Sequence, residues 1–403
     1  MANIAVLGYG TVGSGVVEVI NTNKALIEAR VKEEVNVKYV LDLRDFPGDP
    51  VEKILVHDFD TILNDKDVDI VVEVLGGATF AYNYVKSALL NGKSVATSNK
   101  ELVAKYGAEL LAIAKEKNVN FFFEASVGGG IPIIRPINEC LTADEICEIT
   151  GILNGTTNYI LTKMSKEGLD FGTVLKDAQD KGYAERNPEA DVEGYDACRK
   201  IAILTSLVTG RQVNFEDIYT EGITSITPSD ITLARKLGRS IKLLASSKFV
   251  DGKVFSMVSP VMVDADFPLY NVEDVFNAIF VKGNMLGDAM FYGRGAGKLP
   301  TASAVVADVV AAIKNRDNHL EVKWDAEKFE LSDVSESKKQ FFVRIEDTEA
   351  GRMEAEKVFG VDEFITDESV KGECAFVTAI MTEAEFAKKE AMLTAIRNRI
   401  RMN

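Results

Sequence analysis

Gly8-Tyr9-Gly10-Thr11-Val12-Gly13 follows the buried-type run Ile4-Ala5-Val6-Leu7 and opens an amphipathic stretch over residues 11–32. A GxGxxG alone is a weak pattern, but between a strand and a helix it dictates how the surrounding chain must fold. Gly8 permits the tight turn, and Gly10 lets main-chain amides approach a pyrophosphate at the positive helix end. Gly13 lets helix and sheet pack closely. With Thr11 and Val12 completing the turn, the segment predicts a dinucleotide-binding crossover.

The pattern continues beyond it. Residues 35–41, 70–74, 94–97 and 120–123 are short apolar runs separated by helical periods such as 81–91 and 101–117. Repeated strand-helix alternation with largely apolar strands predicts a doubly wound parallel sheet of the α/β class. After Gly128-Gly129-Gly130 the texture changes. Asp251-Gly252, a tight-turn dipeptide, separates two alternating runs at 240–250 and 253–263, which predicts a hairpin and hence a second, mixed α+β domain. Residues 301–314 read as a helix before the polar stretch 315–318. The last part reads as strand 341–345, helix 352–358, strands 364–366 and 374–381, and a helix over 382–399, a βαββα order of a ligand-sensing kind.

Composition narrows the functions. Asp and Glu outnumber Lys and Arg by 62 to 46, and no basic strip could neutralise phosphates along a duplex, so nucleic acid is excluded as a partner. No apolar run is long enough for a membrane span, and the N-terminus lacks the form of a signal peptide, so a cytoplasmic protein is expected. Cys140, Cys147, Cys198 and Cys374 are scattered without a CxxC and read as buried thiols. His57 and His319 stand apart from any ligand spacing or nucleophile, which leaves proton transfer to other residues.

The candidates lie at strand ends. Asp42, after the second strand, could hold a ribose 2′-hydroxyl, and Arg44 could pair with a 2′-phosphate, so the pattern suits NAD and NADP alike. Ser98-Asn99-Lys100 puts Lys100 just past the carboxyl end of a parallel strand, beside the crevice where such sheets bind ligands. Gly76-Gly77 and Glu124-Ala125-Ser126-Val127-Gly128-Gly129-Gly130-Ile131-Pro132 end two further strands there. Asp196 and Lys200 are four apart on a helix with little polar face, so both need partners, and a lysine held in that way is a proton-transfer candidate. The bland alternative is a surface ion pair. Glu185 sits upstream in a polar loop leading to Asp191.

These residues carry a resemblance. The GxGxxG, Ser98-Asn99-Lys100, residues 124–132, Leu153-Asn154-Gly155-Thr156-Thr157-Asn158, residues 182–188 and residues 191–200 are similar to homoserine dehydrogenases, over about residues 1–314. The resemblance implies a Rossmann domain at 1–130 plus about 300–316, a catalytic and dimerisation domain at 131–299, and an ACT-like domain at 325–403 lacking its final strand. It implies NADP- or NAD-dependent interconversion of aspartate semialdehyde and homoserine. Lys200 would be the proton donor and Lys100 the contact to carbonyl and nicotinamide, with Glu185, Asp196, Asp191 and Thr157 binding substrate. Gly76, Ser98 and Gly297 join the cofactor contacts. The carbonyls of Glu124, Val127, Gly129 and Ile131 would hold a monovalent cation, sodium or potassium. A homodimer or dimer of dimers and a threonine effector are further implications. The competing expectations are a different two-domain amino-acid dehydrogenase and a sensor that binds NAD(P) and an amino acid without turnover.

Overall fold

The computed structural model describes residues 1–403, which fall into two compact units. One comprises residues 1–145, 202–215 and 291–329, and the other residues 146–201, 216–290 and 330–403.

In the first unit, β1 (Ala2–Leu7), β2 (Val35–Leu41), β3 (Leu55–Val56), β4 (Ile70–Glu73), β5 (Ser94–Thr97) and β6 (Phe121–Phe122) pair in parallel in the order β3-β2-β1-β4-β5-β6. This is the doubly wound parallel sheet that the alternation predicts. Its strand order reverses between β1 and β4, the point at which such sheets open a ligand crevice. The connections are α1 (Thr11–Thr22), α2 (Lys24–Val31), α3 (Phe59–Leu63), α4 (Thr79–Leu90) and α5 (Lys100–Glu116). The stretch 11–32 is therefore two helices. Asn23 separates them, leaving the helical region at φ −104° and ψ 18° while its main-chain N–H still donates to the Val19 carbonyl. Ile4, Val6, Val16, Val72, Ala96, Val305 and Val309 share the core beneath the glycine turn.

Residues 146–290 supply β7 (Ile146–Ile152), α6 (Gly155–Glu167), α7 (Phe171–Asp180), α8 (Glu189–Val192), α9 (Tyr195–Thr209), β8 (Arg211–Gln212), β9 (Tyr219–Thr220), α10 (Pro228–Lys236), β10 (Ser240–Val250), β11 (Lys253–Val263) and β12 (Phe276–Gly283). Next come β13 (Gly287–Arg294), α11 (Lys298–Lys314) and β14 (Asp325–Lys328). The chain closes with β15 (Lys338–Glu346), α12 (Glu349–Phe359), β16 (Glu373–Val377), β17 (Met381–Thr382), α13 (Glu383–Glu390) and β18 (Ile396–Met402). The large sheet runs β13-β12-β7-β10-β11-β18-β15-β16 and is mixed, since β18 joins β11 in parallel and β15 antiparallel. At the β10–β11 hairpin, Asp251 and Gly252 take φ of 50° and 76°, the left-handed pair that a two-residue turn requires.

The C-terminus departs from expectation. Residues 382–399 are not one helix: α13 ends at Glu390 and the chain turns into β18, so a final strand follows the last helix and the order is βαβ, a short strand, αβ. Residues 364–366 contribute only a bridge between Ile365 and Ala375. Arg397, Arg399 and Arg401 alternate along β18, the period of a strand, and are neutralised by Glu346, Glu221 and Glu383. Arg401, 2% exposed, is buried only because Glu383 and Glu221 take its donors at 2.6 and 2.7 Å.

Of the four free cysteines, Cys198 and Cys374 are buried, Cys147 is half-buried and Cys140 is exposed. No helix is long and apolar enough to cross a membrane.

Candidate active site

The glycine turn has the shape a dinucleotide needs. Gly8 sits at φ 98°, and a Cβ on Gly13 would lie 1.8 Å from the Gly8 carbonyl oxygen, so neither tolerates a side chain. Around Gly10, the N-cap of α1, a Cβ would meet nothing within 4 Å, which leaves open space at the positive end of the helix. Thr11 and Val12 start α1. Gly15 brings α1 against α11, where a Cβ would stand 2.8 Å from the Lys298 carbonyl, and Gly297 N-caps α11 at φ 124°.

At the end of β2, Asp42 accepts from the Tyr9 amide at 2.8 Å, which ties it to the turn. Arg44 folds back on it with Nε and Nη2 each 3.0 Å from the carboxylate, and those hydrogen bonds hold Asp42 well below the usual carboxylate range. The acid and the base that separately suit NAD and NADP are thus bound to each other.

Between β4 and β5 the sheet buries an acid. Glu73 accepts from the Leu75 amide at 2.7 Å and from the Thr97 hydroxyl at 2.6 Å. Burial raises it to about 7, with those hydrogen bonds opposing. Asn99 then N-caps α5 through the Leu102 amide and donates to the Gly77 carbonyl at 2.8 Å, so the Gly76-Gly77 turn, Ser98 and Lys100 at the first position of α5 are held together. Because the folded pKa of Glu73 lies above its ordinary 4.5, its contribution to stability is full below pH 4.5 and lost as pH rises through about 7. Glu73→Gln keeps the shape without the titration. Relative to it, the wild type is expected to lose on the order of 2–3 kcal/mol between pH 4.5 and 7.5, read from urea midpoints. A parallel pH dependence in the two proteins would refute the assignment.

After β6, residues 124–135 wind tightly. The buried Glu124 carboxylate accepts from the amides of Ile133, Ile134 and Arg135 at 2.6, 2.7 and 3.0 Å. Arg135 bridges Glu124 and the equally buried Asp308 of α11, whose carboxyl burial pushes up. Here a Cβ on Gly128 would lie 2.3 Å from the Ile131 carbonyl oxygen, and one on Gly129 would lie 2.2 Å from that of Gly295. The carbonyls of Ile131 and Gly295 thus press on the glycines of this turn, and no group of three His, Cys, Asp or Glu side chains is arranged to hold a metal.

In the second unit, Asn154 N-caps α6, accepting from the Thr157 amide at 2.8 Å, and its amide nitrogen reaches Asp191 at 2.8 Å and Asp196 at 2.9 Å. Lys200, 8% exposed on α9, donates to Asp196 at 2.8 Å and to the Leu153 carbonyl at 2.7 Å. A lysine fixed by two acceptors in a nearly dry setting is oriented as few surface lysines are.

Residues 132–310 match the family described as homoserine dehydrogenase, and residues 8–124 match its NAD binding domain. The Bacillus subtilis homoserine dehydrogenase is 44% identical over 316 residues, 77% of this chain and 73% of that one. The Synechocystis enzyme is 45% identical over 314 residues, 76% and 72% of the two chains. The chain belongs to the homoserine dehydrogenase family. The solved homoserine dehydrogenase of Thiobacillus denitrificans superposes over 100% of this chain and 98% of its own, at 34% identity and a TM-score of 0.91. A hyperthermophilic archaeal homoserine dehydrogenase mutant in complex with NADPH matches 77% of this chain and 97% of its own, at 30% identity and a TM-score of 0.65. This member of the homoserine dehydrogenase family is accordingly an NAD(P)-dependent oxidoreductase.

Of the candidates read from sequence, Asp191, Asp196, Thr157 and Lys200 come together through Asn154, and Asp42 and Arg44 join the glycine turn. Glu185 is exposed and engages only through its main chain, whose carbonyl accepts from Gln179 at 3.0 Å. Thr157 is buried, its hydroxyl turned onto Asn154. The organising residues Asn154 and Asn99 were not among the candidates, although an Asn just before a helix is the usual sign of an N-cap.

Proposed function

We propose that this chain interconverts L-aspartate 4-semialdehyde and L-homoserine using NADP or NAD, with Lys200 as proton donor to the carbonyl oxygen. The observation that carries this reading is the buried Lys200, held by Asp196 and the Leu153 carbonyl. When bound, the nicotinamide supplies the hydride or takes it. As the aldehyde oxygen becomes an alkoxide, the Lys200 ammonium stabilises the charge and gives up a proton, and in the reverse direction the amine takes the hydroxyl proton back. Lys100 contacts the carbonyl and nicotinamide. Asp191, Asp196 and Glu185, with Thr157, bind the substrate, the carboxylates holding its amino group. Glu185 must swing inward from its exposed loop to do so. Homoserine-dependent reduction of NADP and of NAD, followed optically, tests the reading. Absence of turnover with both would leave a sensor.

The cofactor contacts are Gly8, Gly10, Thr11, Val12, Gly13, Asp42, Arg44, Gly76, Ser98, Lys100 and Gly297. Because Arg44 is the guanidinium beside the acid that reads the ribose, Arg44→Ala is expected to lower kcat/KM with NADP about tenfold and leave that with NAD within about twofold. Equal losses with both would refute the role. The carbonyls of Glu124, Val127, Gly129 and Ile131 hold sodium or potassium, which predicts a rate that depends on one of these ions at constant ionic strength. Residues 1–130 with about 300–316 form the cofactor domain, 131–299 the catalytic and dimerisation domain, and 325–403 an ACT-like module responding to threonine. Sedimentation and rate measurements with and without threonine test both the homodimer and the effector.

A further inference from the structure

The β10–β11 hairpin lays one row of alternating side chains on a single face. Ser246, Lys248 and Val250 stand opposite Met257, Phe255 and Lys253 in register. Residues 334–339, leading into β15, run beside them: Ser332 exchanges hydrogen bonds with Val254 at 2.8 and 3.2 Å, and Lys253 reaches Glu336 at 2.5 Å. Hairpin face and segment enclose a cavity of about 470 Å³. None of its lining residues belongs to the Lys200 cluster.

Its charge is opposite to that of the molecule. Four lysines and two acids line it in a chain of net charge −16. Lys253 is taken up by Glu336, and Lys248 by Glu148 at 3.3 Å. Lys339 joins no ion pair, whereas the neighbouring Lys338 is exposed and lies near Glu385. Burial, and next the nearby Lys248, push the Lys339 ammonium down to about 8, with the carboxylates of Glu148 and Glu383 opposing. In the same wall the Ser337 hydroxyl is buried without a hydrogen-bond partner. Val250, Phe255, Met257 and Val334 make the remaining wall apolar.

We propose that this cavity binds a small organic anion with a compact apolar body, its charged head against Lys339 and the Ser337 hydroxyl and its body on Phe255 and Met257. A half-buried cation beside an apolar wall in a cleft is how small-molecule sites combine affinity with orientation. An occupant bridges the hairpin and the start of β15, so binding raises the unfolding temperature of the unit by mass action. The cavity is independent of the Lys200 chemistry.

The test uses the full chain and four matched probes: 3-phenylpropanoate, 2-phenylethylphosphonate, the neutral 3-phenylpropanamide and zwitterionic phenylalanine. Calorimetry is expected to give binding of at least one anion. The amide and the amino acid should bind about tenfold more weakly or worse, and Lys339→Met should weaken the anion by a similar factor. In the unmodified protein, saturating anion should slow acetylation of Lys339 by acetic anhydride, read by mass spectrometry, at least about fivefold relative to the exposed Lys24. That measurement needs no variant, so a misfolded Lys339→Met does not blunt the test. A preference between carboxylate and phosphonate identifies the head group and supports the site. Binding of neither anion, equal binding of the amide or the amino acid, or unprotected Lys339 overturns it.

Discussion

Replacing Lys200 by methionine is expected to lower kcat for homoserine oxidation by about 10²- to 10⁴-fold while cofactor affinity stays within about twofold. The size follows from what is removed, a positioned proton donor that acts only as charge develops on oxygen, so kcat and kcat/KM should fall together. Methionine fills most of the same volume, and although Asp196 loses its counter-charge it retains the Asn154 amide at 2.9 Å. Cofactor binding, followed by nicotinamide fluorescence, separates this from misfolding, because the glycine turn lies on β1 and α1 and none of its contacts involves α9. Asp196→Asn supplies the positioning control: it keeps the lysine but loosens its hold, and should cost less in kcat than the loss of the amine. A Lys200→Met enzyme within tenfold of wild type would remove Lys200 from the proton path and leave Lys100 as the donor to test.

What was legible in the sequence was whatever local sterics or solvation decide. The glycines at 8, 10 and 13 declare a turn because a Cβ at Gly13 collides with main chain and Gly8 needs a left-handed φ, and Asp251-Gly252 declares a hairpin because few residues accept left-handed φ. Asp196 and Lys200 could be paired in advance since an apolar helix offers a charge no water. What stayed hidden depends on partners far along the chain. The strand at 396–402 carries three arginines whose neutralising acids lie at 221, 346 and 383, so its charge is balanced only once distant segments meet. Asn154 reads as an ordinary cap until the fold brings Asp191 and Asp196, 37 and 42 residues on, to its amide.

The same long-range electrostatics yield the largest expected stability change. Arg344 of β15 is 5% exposed, and Asp230 of α10 is 0% exposed. The guanidinium gives Nε to Asp230 at 2.8 Å, Nη2 to Thr227 at 3.0 Å and Nη1 to Glu373 of β16 at 2.5 Å. Asp230 also closes the capping box of α10 with Thr227 and accepts from Asn398 of β18 at 2.9 Å. One ion pair therefore fastens a helix to three strands, among them the one that sequence reading missed. Arg344→Met keeps volume but strands a buried carboxylate, and a broken buried pair of this kind costs about 3–5 kcal/mol, well beyond an exposed one. Urea unfolding should register that loss as a lower midpoint at unchanged slope. In Arg344→Met with Asp230→Asn the unpaired charge disappears while the substituted side-chain amide can still accept the capping N–H, so at least about half of the loss should return, as a coupling term between neighbours in contact. If the double variant is as unstable as Arg344→Met, the cost comes from packing around β15, and the ion pair is not what holds α10 to the sheet.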